Sequence, residues 1–192
     1  MQTDKLTVQE KIDALFGLYE KYGHLEYGEG VTQLMHMVQA AKLAKAEGYD
    51  QEVILAAFFH DIGHFLEEGD EMGIYGRQDH DRMGGEYLIS LGCSEKMAKL
   101  VASHVAAKRY LTFKIPGYYD QLSDASKKTL EYQGGPMDAK EAAGFEEDPL
   151  FELYLKVRHW DDLGKETEMT VDPAEVEWLR MLATDYLQHR MM

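Results

Sequence analysis

The chain has 192 residues, 45% of them hydrophobic, which is enough for one domain with a sizeable core; a single domain over residues 1–192 is expected. With 35 acidic against 20 basic residues, the formal charge of −15 excludes a nucleic-acid backbone as partner and repels anionic ligands at long range. The single cysteine, Cys93, excludes an internal disulfide; no run spans a membrane and Met1 to Lys5 lacks leader character, so a cytoplasmic protein is expected.

Apolar spacing by three and four predicts helices nearly throughout. Val8 to Tyr22 carries Ile12, Leu15, Phe16 and Tyr19 on one face and stops at Gly23. Gly28 and Gly30 flank Glu29 in a loop, and Thr32 caps a helix to about Glu47. A third helix runs from the Asp50 cap to His60 or just beyond, apolar all round from Val53 to Phe59, as in a helix buried on most sides. Glu67 to Gln78 reads as a loop. Helices follow over Asp79 to Leu91 and Ser94 to Tyr110, broken at Gly92, where Cys93 reads as a packing residue rather than a nucleophile. Thr112 to Met137 reads as short helices and loops. Two more helices cover Pro149 to Leu163 and Pro173 to His189, the last capped by Asp172. No pair of alternating strands is found. The expected fold is all-α.

The buried third helix ends in His60-Asp61, with His64 four residues after His60. Charge at such a position is costly unless it is paired or bound to a metal. Adjacent helical side chains diverge by about 100°, so His60 and Asp61 could hold one cation only at a helix end, or with Asp61 bridging two. A solvated helix end is the plainer alternative. Six of the eight histidines (His36, His60, His64, His80, His104 and His159) fall on or beside successive helices, with Asp161 late in the chain. Each alone fits a core or surface position. Together they form the imidazole and carboxylate series with which helical bundles hold paired metals, and the lack of thiolate weakens structural zinc.

The series His36, His60-Asp61, His80, His104, Asp161 resembles the HD-domain superfamily, whose signature is H…HD…D with two further histidines in dinuclear members. Gly28-Glu29-Gly30-Val31-Thr32-Gln33, His104-Val105-Ala106-Ala107-Lys108, Gln133-Gly134-Gly135-Pro136 and Arg158-His159-Trp160-Asp161-Asp162 are similar to the PhnZ-type phosphonate oxygenases, a branch related to myo-inositol oxygenase. The resemblance covers roughly residues 10 to 165. It implies an HD-domain helical bundle with a dinuclear metal site in its core, two mixed-valent iron ions, Fe(II)/Fe(III), and O₂ as co-substrate. It further implies oxidative cleavage of the C–P bond of a 1-hydroxyphosphonate, releasing phosphate and a carboxylate product (glycine or glycine betaine).

Carried over by position, the resemblance gives His36, His60, Asp61 and Asp161 to one iron, and His80, His104 and bridging Asp61 to the other. Asp162 is the rival of Asp161, which is preferred because Lys165 follows it by four. His64 and Lys108 become donors to the phosphonate, with Ser126 and Gln133 as neutral donors. The tyrosine that caps the second iron in the family falls at Glu26 here, so either Glu26 or neighbouring Tyr27 is expected to take its place. Glu29 suits an ammonium group on the substrate, which makes (R)-2-amino-1-hydroxyethylphosphonate the first choice, with the trimethylammonio analogue and hydroxymethylphosphonate as alternatives. Solvated loop acids are the plain alternative for Glu26 and Glu29, and a surface lysine for Lys108. Two other functions fit parts of the series: a metal-dependent HD phosphohydrolase acting on a nucleotide or phosphate ester, and a non-catalytic HD module. The expected partner is a small phosphonate alone, and the chain is expected to be a monomer or small homo-oligomer.

Overall fold

The computed structural model describes residues 6–66 and 72–190; the expectations for Met1 to Lys5 and for the first residues of the 67–78 loop lie outside them. Its helices are α1 (Val8–Tyr22), α2 (Gln33–Ala46), α3 (Gln51–Phe59), α4 (His80–Ser90), α5 (Glu95–Ala102), α6 (His104–Lys114), α7 (Tyr118–Gln121), α8 (Asp124–Tyr132), α9 (Ala139–Glu146), α10 (Phe151–Leu163) and α11 (Pro173–Arg190). Tight 3₁₀ turns cover Ile62–Phe65 and Gly73–Tyr75, and no β-strand occurs among the described residues. The fold is all-α. No described helix is long and apolar enough to cross a membrane.

The caps follow the sequence signals. Thr7, Thr32, Asp50, Ser94 and Ser123 each accept a backbone N–H of the first turn of α1, α2, α3, α5 and α8. Asp172 does the same for α11, accepting from the Ala174 amide at 2.9 Å. One expected element differs: the helix anticipated from Ser94 to Tyr110 is two helices. The chain turns at Ser103 (φ −107°, ψ −4°) and α6 runs on to Lys114. Helix α9 was not anticipated; it starts with a capping box between Asp138 and Glu141.

Helix α3 is the centre of the bundle. Leu55, Ala56, Ala57 and Phe58 have no exposed surface, and α2, α5, α10 and α11 surround them. Phe58 stacks on Tyr19 of α1 with ring centroids 4.5 Å apart, and the Tyr19 hydroxyl donates to the Phe58 carbonyl at 3.1 Å. The end of α3, where His60 and Asp61 begin, is thereby pinned within the core. Helix α4 then packs tightly on the turn that follows. A Cβ at Gly63 would stand 1.8 Å from the His80 carbonyl oxygen, so only glycine lets α4 begin this close to Asp61.

Candidate metal centre

Five helix ends or faces deliver six side chains to one buried place. His36 projects from α2, His60 caps α3, Asp61 follows it, His80 and His104 are the first residues of α4 and α6, and Asp161 lies on α10. Each is at most 9% exposed. His104 is not the mid-helix residue that the sequence suggests: the break at Ser103 makes it a helix start.

The hydrogen bonds of the rings assign their tautomers. A carbonyl only accepts, so an imidazole nitrogen facing one carries the proton. His60, His80 and His104 each turn Nδ1 back to the carbonyl three residues earlier, Ala57 at 2.8 Å, Arg77 at 2.8 Å and Val101 at 2.7 Å. His36 Nδ1 reaches the Gly164 carbonyl past the end of α10 at 2.9 Å. In their neutral forms all four rings therefore aim a bare Nε2 lone pair inward. Those lone pairs meet: His36 and His60 approach at 3.0 Å between Nε2 atoms, His80 and His104 at 2.9 Å. Two bare acceptors so close repel unless a proton or a metal cation lies between them. Two imidazole nitrogens, each about 2.1 Å from one ion and at right angles, are about 3.0 Å apart, so the residues fit a metal at each pair.

Asp61 joins the two pairs. Its Oδ2 lies 3.5 Å from His60 Nε2 and 3.6 Å from His36 Nε2, while Oδ1 lies 3.3 Å from His80 Nε2 and 3.4 Å from His104 Nε2. Asp161 Oδ1 completes the first pair, 3.3 Å from His36 Nε2. The ligating atoms of His36, His60 and Asp161 all fall within 4.8 Å of one another. Asp162 is turned away, its carboxylate held by Arg158 and the Tyr118 hydroxyl.

His64 is set apart by its tautomer. The Arg77 amide donates to His64 Nδ1 at 2.9 Å, so Nε2 carries the proton and is a donor rather than a ligand. Gly76, at φ 82°, allows this approach; a Cβ there would lie 2.4 Å from His64 Nδ1. Atoms of Asp61, His64 and His80 also lie within ligating range of each other. The tautomers favour His104 over His64 as the partner of His80. The His64 ring stacks on His80 at 3.8 Å, and Tyr27 packs on it at 4.8 Å.

Charge in this enclosure is mutually compensated. Burial pushes the Asp61 carboxyl up, but the surrounding imidazoles, His60 foremost, hold it well below the carboxylate range. Burial likewise opposes Asp161, and the Arg158 guanidinium with His36 outweighs it. Among the histidines, burial lowers His60 to about 4. His36 and His80 are also disfavoured by burial, yet Asp161 and Asp61 respectively raise them above the ordinary imidazole value. Without metal, each facing pair thus contains one ring, His36 or His80, that holds a proton more readily than an ordinary imidazole.

A small cavity of about 60 Å³ opens on Asp61, His36, His80, His104 and Asp161; Tyr27, Glu29, His64, Lys108, Ser126 and Gln133 also line it. Lys108 donates to Thr129 Oγ1 at 2.8 Å, and burial lowers its ammonium to about 7. Glu29 Oε1 accepts from Ser123 at 2.9 Å, Lys165 at 3.0 Å and Ser126 at 3.4 Å. One expected residue falls outside the lining: Glu26 is exposed on the loop; His159, a member of the histidine series given no role at the site, faces an outer groove on the far side of α10. Tyr27, one residue on from Glu26, faces the cavity instead.

Among the further lining residues, Gln33, Arg158 and Lys165 were given no role at the site from the sequence. Each lies three or four residues from a histidine or aspartate of the cluster, the spacing that shares a helix face, and that was the available signal. Gln33 is 4% exposed and its Oε1 has no hydrogen-bond partner.

The helical bundle converges four same-tautomer imidazoles and two carboxylates on two adjoining groups that could hold a pair of metal ions, as the HD type requires. No protein-family model matches the chain. It is 39% identical over 171 residues to the [1-hydroxy-2-(trimethylamino)ethyl]phosphonate dioxygenase (glycine-betaine-forming) of Leisingera caerulea, covering 86% of this chain and 85% of that protein. It is 40% identical over 162 residues to the hydroxymethylphosphonate dioxygenase of Gimesia maris, covering 83% and 80%. An uncharacterised protein of Acanthamoeba polyphaga mimivirus is 41% identical over 182 residues, covering 93% and 82%. The chain belongs to the PhnZ-type HD-domain phosphonate dioxygenases.

Proposed function

We propose that this chain cleaves the C–P bond of a small 1-hydroxyphosphonate oxidatively, with two iron ions as its cofactor and O₂ as co-substrate. What supports this is the pair of facing Nε2 couples, 3.0 and 2.9 Å apart and joined through the two oxygens of Asp61, in a chain similar to two phosphonate dioxygenases. His36, His60, Asp61 and Asp161 hold one iron; Asp61, His80 and His104 hold the other. Once bound, the pair supplies redox chemistry with O₂ and concentrated positive charge for a dianion that a −15 protein otherwise repels.

The chain's own residues bind and orient the substrate. Lys108 and the Nε2–H of His64 donate to the phosphonate, and Ser126 and Gln133 add neutral donors. Gln33 offers its unpartnered oxygen to the substrate hydroxyl or ammonium. Tyr27 covers the mouth beside His64. At the far end Glu29 Oε1 is saturated by Lys165 and two serines, which fixes the carboxylate, while Oε2 takes no hydrogen bond among the described residues and is left for the substrate tail.

A cavity of about 60 Å³ is far below the few hundred Å³ typical of drug-sized ligands, which favours a small phosphonate over a nucleotide. (R)-2-Amino-1-hydroxyethylphosphonate is the first choice because Glu29 suits an ammonium group. Iron-loaded, reduced protein mixed with this compound under O₂ is expected to release phosphate and glycine. Phosphate release at the same rate without O₂ would overturn oxidative cleavage.

A further inference from the structure

All three nitrogens of the Arg158 guanidinium are engaged, and they face two ways. Nη1 donates to Asp161 Oδ2 at 2.7 Å. Nη2 donates to Asp162 Oδ1, and Nε donates to the Tyr118 hydroxyl at 3.1 Å. The Tyr118 hydroxyl in turn donates to Asp162 Oδ2 at 2.5 Å. Arg158 is 2% exposed and stands in the wall between two cavities: it lines the central one with Asp161, while Tyr118 and Asp162 line the outer groove. The planar fork of an arginine held on one edge has little freedom on the other. Asp162 and Tyr118 hold the outer edge, so the inner edge fixes Asp161 Oδ2. Only Oδ1 is then turned to the histidines, 3.3 Å from His36 Nε2 and 3.9 Å from His60 Nε2.

We propose that Tyr118 and Asp162, acting through Arg158, are positioning residues that make Asp161 a one-oxygen ligand of the metal held with His36, His60 and Asp61. The inference rests on the metal assignment given above. It also accounts for the two adjacent carboxylates of α10. They diverge by about 100° around the helix, so one meets the cluster and the other anchors the arginine behind it. Partners that orient a metal ligand typically contribute 10- to 100-fold in metal affinity. The effect must be confined to one metal, because among the described residues no hydrogen bond or ion pair joins Tyr118, Arg158 or Asp162 to His80 or His104.

The test is to load wild type, Tyr118→Phe, Asp162→Asn and Arg158→Lys anaerobically with Fe(II) and to measure both dissociation constants by chelator competition. Thermal unfolding of the metal-free proteins is followed alongside. One site is expected to weaken about 10-fold in Tyr118→Phe and up to about 100-fold in Asp162→Asn, with the other unchanged. Arg158→Lys, which keeps the charge and loses the fork, is expected to show the same one-sided loss. Tyr118→Phe removes only a hydroxyl and decides the matter if a charge variant fails to fold. Wild-type affinities in the folded variants, or equal weakening of both sites, overturn the proposal. If Asp161→Ala retains both irons, the assignment of Asp161 as ligand fails instead.

Discussion

His36 and His60 face each other through their Nε2 atoms at 3.0 Å, each with its Nδ1 proton committed to a backbone carbonyl. The arrangement is repulsive when both rings are neutral and favourable once a cation takes both lone pairs, so binding metal also relieves a conflict built into the fold.

Metal removal is accordingly expected to destabilise the protein. A ligand present at about 1,000 times its dissociation constant stabilises the folded state by about 4 kcal/mol, which for a domain of this size is about 10 °C in Tm. Thermal unfolding with and without a strong chelator measures it; coincident curves would show that metal is not bound at a site formed on folding.

Replacing His104 by Ala is expected to leave one iron per chain instead of two, whereas Asp61→Ala is expected to lose both. Iron analysis of the purified variants reads this directly. Two irons in His104→Ala would move the second site to His64, whose ring also lies near Asp61 and His80.

Metal uptake is expected to release protons and to weaken on acidification. His36 and His80 hold protons above the ordinary imidazole value in the metal-free protein, burial opposing this and Asp161 and Asp61 prevailing. Protons therefore compete with metal more strongly as pH falls. For the metal-free protein, the stability these two raised groups contribute is complete below the ordinary imidazole value and is lost as pH rises through the raised values. The contribution of Asp61 and Asp161, whose values are lowered, is present above the ordinary carboxylate value and is lost as pH falls through the lowered ones. Affinities measured at about pH 6 and about pH 8 should differ at least 10-fold, tighter at the higher value.

Burial lowers Lys108 to about 7, so its charge is lost just above neutrality. If it carries the phosphonate, kcat/KM falls as pH rises through about 7. Lys108→Arg keeps its charge throughout and should shift this limb upward out of range; Lys108→Met should lower kcat/KM at least 10-fold and abolish the limb. An unchanged limb in both variants assigns it to another group.

Glu29→Gln is expected to lower kcat/KM for 2-amino-1-hydroxyethylphosphonate about 10-fold or more, and to change that for hydroxymethylphosphonate little, since only the first has a tail charge to lose. Equal losses on both would make Glu29 a support for Lys165 and Ser126 rather than a determinant of specificity.

The fold class, the boundaries of α1 to α4, α10 and α11 and the residue types of the centre were legible in the sequence, because apolar periodicity, caps and the His-Asp series are local properties. Three or four residues of spacing decide which side chains share a helix face, and Asn-, Asp-, Ser- and Thr-type caps decide where a helix begins. What lay beyond the sequence depends on how helices far apart in the chain cross. That crossing set His36 against the Gly164 carbonyl, turned Asp161 inward and Asp162 toward Tyr118, and brought Lys165 onto Glu29. It also set the His64 tautomer, through one amide of Arg77 that no spacing rule contains. Local chemistry named the donors; only the packing of α2, α4, α6 and α10 around α3 decided which lone pairs meet and what each carboxylate oxygen faces.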